Sequence, residues 1–314
     1  MEATAKGSLV TINIDGKPLE KLIEVVSNGI GTLYRPRKIR KEADAQAYAI
    51  RVLENAKAVA GSETMLIEAE TVERIGQRLV AQEIRRQNNI DAVVEKAAEE
   101  LKGKQVSDDP VDEDWATRFF GIVQDVSLEE MRILWSKILS KEIERPSTFS
   151  MRTLETLRNL SAKEAELFEK VAPLVLYQRN YFIFNESDML EKIGVKYMDL
   201  AQLTECGILL PGTFVSKSYE SNPNKDTVSA IIYGEKVVIM GLPQGTKGVV
   251  IPVVLLSKAG EELLSLLEPK ENMEYIKELA QYVKKMNAEI TMQYAEIVSL
   301  ENGAVEYKTP AVEL

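Results

Sequence analysis

The sequence predicts an α+β protein that is mainly helical, with long amino-terminal helices, a central helical core and a carboxy-terminal winged-helix-like α/β unit. Three observations predict it. Residues 42–104 are rich in Ala, Glu, Lys, Arg and Gln, with no proline and only three glycines, the composition of long helices. Residues 115–168 repeat apolar side chains three and four apart, as amphipathic helices do. From Asn180 onward the runs NYFIF, SAIIYG, EKVVIMGLP and GVVIPVVLLS are β-like and are separated by Gly, Pro and Asn. The expected organisation is a strand, helix and helical arm over 1–106, an acidic linker at 107–114, a helical core over 115–178 and the α+β unit over 179–314.

SLVTINIDG, Ser8 to Gly16, alternates apolar and polar residues before a turn signal and reads as a short strand. In the following segment Leu19, Leu22, Ile23, Val26, Ile30 and Leu33 recur at helical spacing, and Pro18 stands where a first turn tolerates proline. This predicts an amphipathic helix over 17–34. RPRKIRK follows, and Arg35, Arg37, Lys38, Arg40 and Lys41 make it the densest basic patch in the chain. Two readings stand side by side. The helix could lie in a membrane interface with the patch on anionic head groups, or the patch could be a solvated helix end paired with Glu42 and Asp44.

Within the arm, Val72, Ile75 and Leu79, and then Ile90, Val93, Ala97 and Leu101, form a narrow apolar seam on a charged surface. So slim a seam seldom stands alone, so Val72, Ile75, Leu79, Ile90, Val93 and Leu101 are expected to pack on copies of the chain or on a neighbouring helix. Breaks are expected at Gly61-Ser62 and at Asn88-Asn89-Ile90-Asp91. The linker carboxylates Asp108, Asp109, Asp112, Glu113 and Asp114 lack the spacing and central glycine of a calcium loop, which favours a solvated linker and no metal site.

Beyond the linker, Trp115, Phe119, Phe120, Ile122 and Val123, then Met131, Leu134, Trp135, Ile138 and Leu139, predict two helices joined at VSLEE. Ser127 and Glu130 there have capping-box spacing. Ser150 and Ser161 stand at two further cap positions. Trp115, Phe119, Trp135, Phe149 and Phe168 are read as core aromatics. In the last region the helices SDMLEKIG and KYMDLAQLTECGIL precede β runs, the order of a winged-helix-like unit. The second helix is too poor in basic residues to read DNA well. GLPQGTKG lacks Walker spacing and is expected to be a hairpin loop between two β runs, and Cys206 to be a small buried side chain.

The chain contains no histidine and one cysteine. Ser/His/Asp and Cys/His catalysis, disulfide frameworks within the chain and the usual catalytic zinc sites are thereby removed. The net charge of −10 opposes nonspecific contact with nucleic-acid backbones. No apolar run approaches the roughly 20 residues of a membrane span, and no secretory pattern opens the chain, so a cytoplasmic protein is expected, with peripheral contact at the inner membrane as a variant. Neither a catalytic residue nor a cofactor is predicted.

DWATRFF, DVSLEEMRILWSKILSKEI, RPSTFSMRTLETLRNLS and EAELF, with LYRPRKIRKEADAQAYAIR upstream, resemble the bacterial domain-of-unknown-function 2806 family over about half of the chain. The tryptophan-centred helix followed by a serine-started helix and LRNLS is similar, more loosely, to the abortive-infection alpha family. Both resemblances imply a setting in bacterial defence against phage or in mobile elements, and neither implies a catalytic residue. The resulting expectation is a non-enzymatic, homo-oligomeric defence protein that assembles through its arm and meets an anionic membrane surface or a phage protein at its amino-terminal end. A nucleic-acid-associated regulator using the carboxy-terminal unit is the alternative, with nucleic acid the less expected partner.

Overall fold

The computed structural model describes residues 16–32, 34, 69–212, 215–301 and 304–314. Apart from Gly16, the expected amino-terminal strand lies outside these residues, as do the basic run Arg35–Lys41 and the expected break at Gly61-Ser62. The fold is α+β, with helices first and an antiparallel sheet after them, as the composition predicts. The chain forms two compact units, Met1–Leu154 and Glu155–Leu314.

In the first unit, helix α1 (Lys17–Ile30) starts with Pro18 in its first turn and ends at Gly31, whose φ of 71° is the left-handed conformation that glycine adopts without strain. Helix α2 (Ala69–Glu100) runs unbroken for 32 residues, about 48 Å at 1.5 Å per residue. The break expected at Asn88–Asp91 does not occur, because the polar side chains there act as anchors. Buried Asn89 donates through Nδ2 to the Gln124 carbonyl (2.7 Å) and accepts at Oδ1 from Arg132 Nη2 (2.6 Å). Buried Asp91 accepts from Gln87 one turn earlier (2.8 Å) and from the Tyr34 hydroxyl (3.2 Å). With their hydrogen bonds made outside the helix backbone, these residues lose their usual reason to break it.

Helix α3 (Glu113–Val123) is capped by Asp112, which accepts from the Trp115 amide at 2.8 Å. Helix α4 (Glu129–Glu144) begins after Leu128, and Ser127 is not its cap. The turn before it is held instead by Arg132, which reaches Val126 O, Glu129 and Asn89. α1 packs on α3, with Leu22, Val25 and Val26 buried, and α2 packs on α4. Phe119 is central: Trp115 stacks on it at 5.0 Å and Trp135 meets it edge-on at 5.4 Å. Buried Glu142 accepts from the Ser147 and Phe149 amides (2.6 and 2.9 Å), fixing the turn in which Ser147 has φ 67°. Helix α5 (Met151–Asn159) follows, and the division between the units falls within it.

In the second unit, helix α6 (Ala162–Val171) opens on a full capping box between Ser161 and Glu164, with the Ser161 amide donating to the carboxylate at 2.7 Å. Strands β1 (Val175–Gln178) and β2 (Asn180–Phe184), helices α7 (Ser187–Lys192) and α8 (Tyr197–Glu205), and strands β3 (Ser216–Tyr219), β4 (Thr227–Tyr233), β5 (Lys236–Leu242) and β6 (Val249–Leu255) come next. Helices α9 (Lys258–Leu264) and α10 (Met273–Met286) precede β7 (Thr291–Glu301), β8 (Ala304–Tyr307) and β9 (Val312–Glu313). The helix–helix–strand order is that of a winged-helix-like unit, but the strands continue into one nine-stranded antiparallel path, β3-β6-β2-β1-β4-β5-β7-β8, with β9 also on β7. β5 and β6 do not pair with each other, so the 243–248 loop is a crossover rather than the expected hairpin. Asn287 holds that loop through Thr246 and the Lys247 carbonyl.

Candidate functional site

The seam of α2 divides into two halves with different fates. Ile90, Val93 and Leu101 are buried, together with Val94, Ala97 and Ala98, in the core of the first unit. Their apolar surface is taken by the chain's own helices, so these three are not free to meet a second copy. Ile75 and Leu79, on the same face at helical spacing, are 39% and 40% exposed. Val72 lies in the same helix. The change comes at Arg86, which points along this face and forks onto Asp125 with bonds of 3.0 and 3.3 Å. Donating to the Asp125 carboxylate raises the Arg86 pKa. α4 begins four residues after Asp125, and its first turn meets α2 at Asn89 and Lys96.

The apolar face of α1, open to lipid on one reading of its sequence, is buried against α3. At Gly29 the two helices approach so closely that a Cβ would meet the Phe120 ring and, at 2.7 Å, the Ala116 carbonyl. The glycine that weakens the helix in isolation is therefore what permits its packing. No helix among the described residues is long and apolar enough to cross a membrane. In the acidic segment Asp112 is occupied as a cap, Asp108 pairs with Lys17, and the described residues gather no group of three potential metal ligands. The Cys206 thiol is half-buried, and burial pushes its pKa up, away from reactivity.

A second cluster, in the carboxy-terminal unit, is one that sequence reasoning missed. β1 and β2 pair so tightly that Arg179 alone turns the corner, at φ 64°. That conformation costs a residue with a Cβ about 1–2 kcal/mol. β6 changes partner along its length: 249–252 pairs with β3 and 253–255 with β2, with Pro252 at the change. From β3, Lys217 Nζ donates to the Gln178 carbonyl (2.9 Å) and lies 4.6 Å from the Phe182 ring centre. Tyr219, two residues on, donates its hydroxyl to Gln178 Oε1 (2.9 Å), while Gln178 Nε2 donates to the Ala230 carbonyl (3.1 Å). Burial, and then the Arg179 charge, lower the pKa of Lys217; burial alone drives Tyr219 well upward. No local spacing reports this cluster, because its members come from β1, β2, β3, β4 and the β1–β2 turn, and β3 lies about 40 residues along the chain from Gln178.

Against this geometry, the pattern of the family described as "Protein of unknown function (DUF2806)" matches residues 73–280. The chain belongs to that family. No curated protein and no solved structure matches the chain. The DUF2806 block begins inside α2 and ends inside α10. It includes Ile75, Leu79, Ile90, Val93 and Leu101 and the whole Arg179/Lys217 corner. The basic run Arg35, Arg37, Lys38, Arg40 and Lys41 precedes the DUF2806 block, and β7, β8 and β9 follow it.

Proposed function

We propose that this DUF2806 chain is a non-enzymatic protein of bacterial defence against phage whose copies associate through the first turns of α2. The observation that carries the reading is the exposed continuation, at Ile75 and Leu79, of a face that is core further along the same helix. Fully burying a Leu or Ile side chain contributes ~1.5–3 kcal/mol, so covering the exposed remainder contributes ~1 kcal/mol each, or ~4 kcal/mol across a twofold pair. Association itself costs at least ~4 kcal/mol, so Ile75 and Leu79 only offset the lower bound of that cost, a contact through them needs the neighbouring residues of the first turns as well, and one charge within it is enough to abolish it. The defence setting rests on the likeness to the abortive-infection alpha family, and a phage protein is the partner assigned to the basic run. A membrane anchored by α1 is disfavoured, since its apolar face is already in contact with α3.

The test is phage plating on cells that express the chain. Leu79→Glu, and separately Arg37, Lys38 and Arg40 all changed to glutamate, should each restore plaque formation while the protein stays folded. Protection by both variants equal to that of the unaltered chain would reject the reading.

A further inference from the structure

We propose that the partner of the first turns of α2 is the same segment of a second copy, laid antiparallel about a twofold axis near Gln77. The arrangement rests on the association proposed above and adds which surface of the second copy is met. Ile75 and Leu79 lie one turn apart on one face, so such an axis sets Ile75 of each copy against Leu79 of the other. Thr71 of each copy then comes level with Gln82 of the other, which carries the contact beyond the apolar pair. A parallel pair would cover the same side chains, so the direction is decided further along the helix. From Asn89 onward this face lies under α4, whose first turn holds Asn89 through Arg132 and Lys96 through Glu129.

Packed helices lie about 8–10 Å apart, and a helix with its side chains is about 10–12 Å across. In a parallel pair both copies of α4 would need the same gap at the same height, about 18 Å beyond Gln77 at 1.5 Å per residue. In an antiparallel pair that height is clear of the partner's α2, because Ala69, where the helix starts, is only about 12 Å from Gln77. Charge argues the other way. Arg78 flanks the apolar face on one side and Glu83 on the other, and both are exposed. A parallel pair would set Glu83 beside the partner's Arg78, whereas an antiparallel pair sets Arg78 beside the partner's Arg78. An exposed ion pair contributes little and is screened by salt, whereas two helices cannot fill one volume, so the steric effect decides.

The experiment is pulsed electron paramagnetic resonance on the full chain carrying Cys206→Ala and one spin label at Glu99→Cys, an exposed position near the end of α2, alongside light scattering at low and high salt. Antiparallel copies place the two labels about 66 Å apart along the axis, whereas parallel copies keep them within about 40 Å even where the helices splay. Because Arg78 faces the partner's Arg78, raising the salt should tighten the association. Arg78→Gln should tighten it about twofold at low salt, as removal of an exposed like-charge pair does. In a parallel pair both changes would loosen it. The shorter label distance, or loosening by both salt and Arg78→Gln, would overturn the antiparallel arrangement and leave the association standing. An oligomer that Leu79→Glu does not disturb would put the contact on another surface and overturn the arrangement as well. A monomer at every concentration would reject the association itself, and the arrangement with it.

Discussion

Gly29→Ala separates helix propensity from helix packing, and the two predict opposite signs. In an isolated helix the change would stabilise by roughly 0.5–1 kcal/mol. In the folded protein the new Cβ falls on the Phe120 ring and 2.7 Å from the Ala116 carbonyl oxygen, which belongs to the α3 backbone and cannot rotate aside. Overpacking of this kind costs about 1–3 kcal/mol, so the net effect is a loss of about 1–2 kcal/mol. Gly121 in α3 is the control: a Cβ there meets nothing within 4 Å, and Gly121→Ala should stabilise by about 0.5–1 kcal/mol. Urea unfolding followed by tryptophan fluorescence reads both changes in the intact chain, because both tryptophans, Trp115 and Trp135, lie in the first unit. Gly29→Ala as stable as the unaltered protein, or shifts of the same sign at the two glycines, would refute the packing of α1 on α3.

Trp135→Ala should destabilise the first unit by about 3–5 kcal/mol, since the side chain is fully buried against Phe119; near-UV circular dichroism and urea melts would show it. Glu271 gives a pH signature. Its carboxylate accepts the Glu235 amide at 2.9 Å and faces Lys236 at 3.6 Å, and these contacts hold its pKa below the ordinary value. A lowered folded pKa means stability that is present above the unfolded pKa and is lost as pH falls through the folded one. Glu271→Gln should therefore flatten the acid limb of thermal stability below about pH 4.5 and lower the neutral-pH melting point. An unchanged acid limb would show that Glu271 makes no such contribution.

The helical periodicity of residues 115–171 and the β texture after Asn180 were legible because both report burial through local spacing. The aromatic positions Trp115, Phe119, Trp135, Phe149 and Phe168 are all core for the same reason. What local spacing could not report is partner identity. The seam from Ile75 to Leu101 reads as one stripe, yet only the part alongside α4 is covered by it. Asn89 and Asp91 have the composition of a break, but long-range bonds to the turn after α3 and to Tyr34 make them anchors. Ser127 has a cap's spacing but loses the helix start to Leu128, where Arg132 organises the turn. The contacts of Lys217 and Tyr219 with Gln178 left no trace in the sequence, because they join β3 to the end of β1 about 40 residues away.

The most direct test of the account is the mass of the full-length protein in solution, by light scattering over a range of concentrations, beside Leu79→Glu and Val93→Ala. The account predicts a weak, concentration-dependent oligomer that becomes monomeric in Leu79→Glu with an unchanged melting point. Val93→Ala, in the covered half of the same helix, should lower the melting point and leave the folded protein's association intact. A monomer at every concentration, or an oligomer that Leu79→Glu does not disturb, would contradict the division of α2 into a core half and an assembling half.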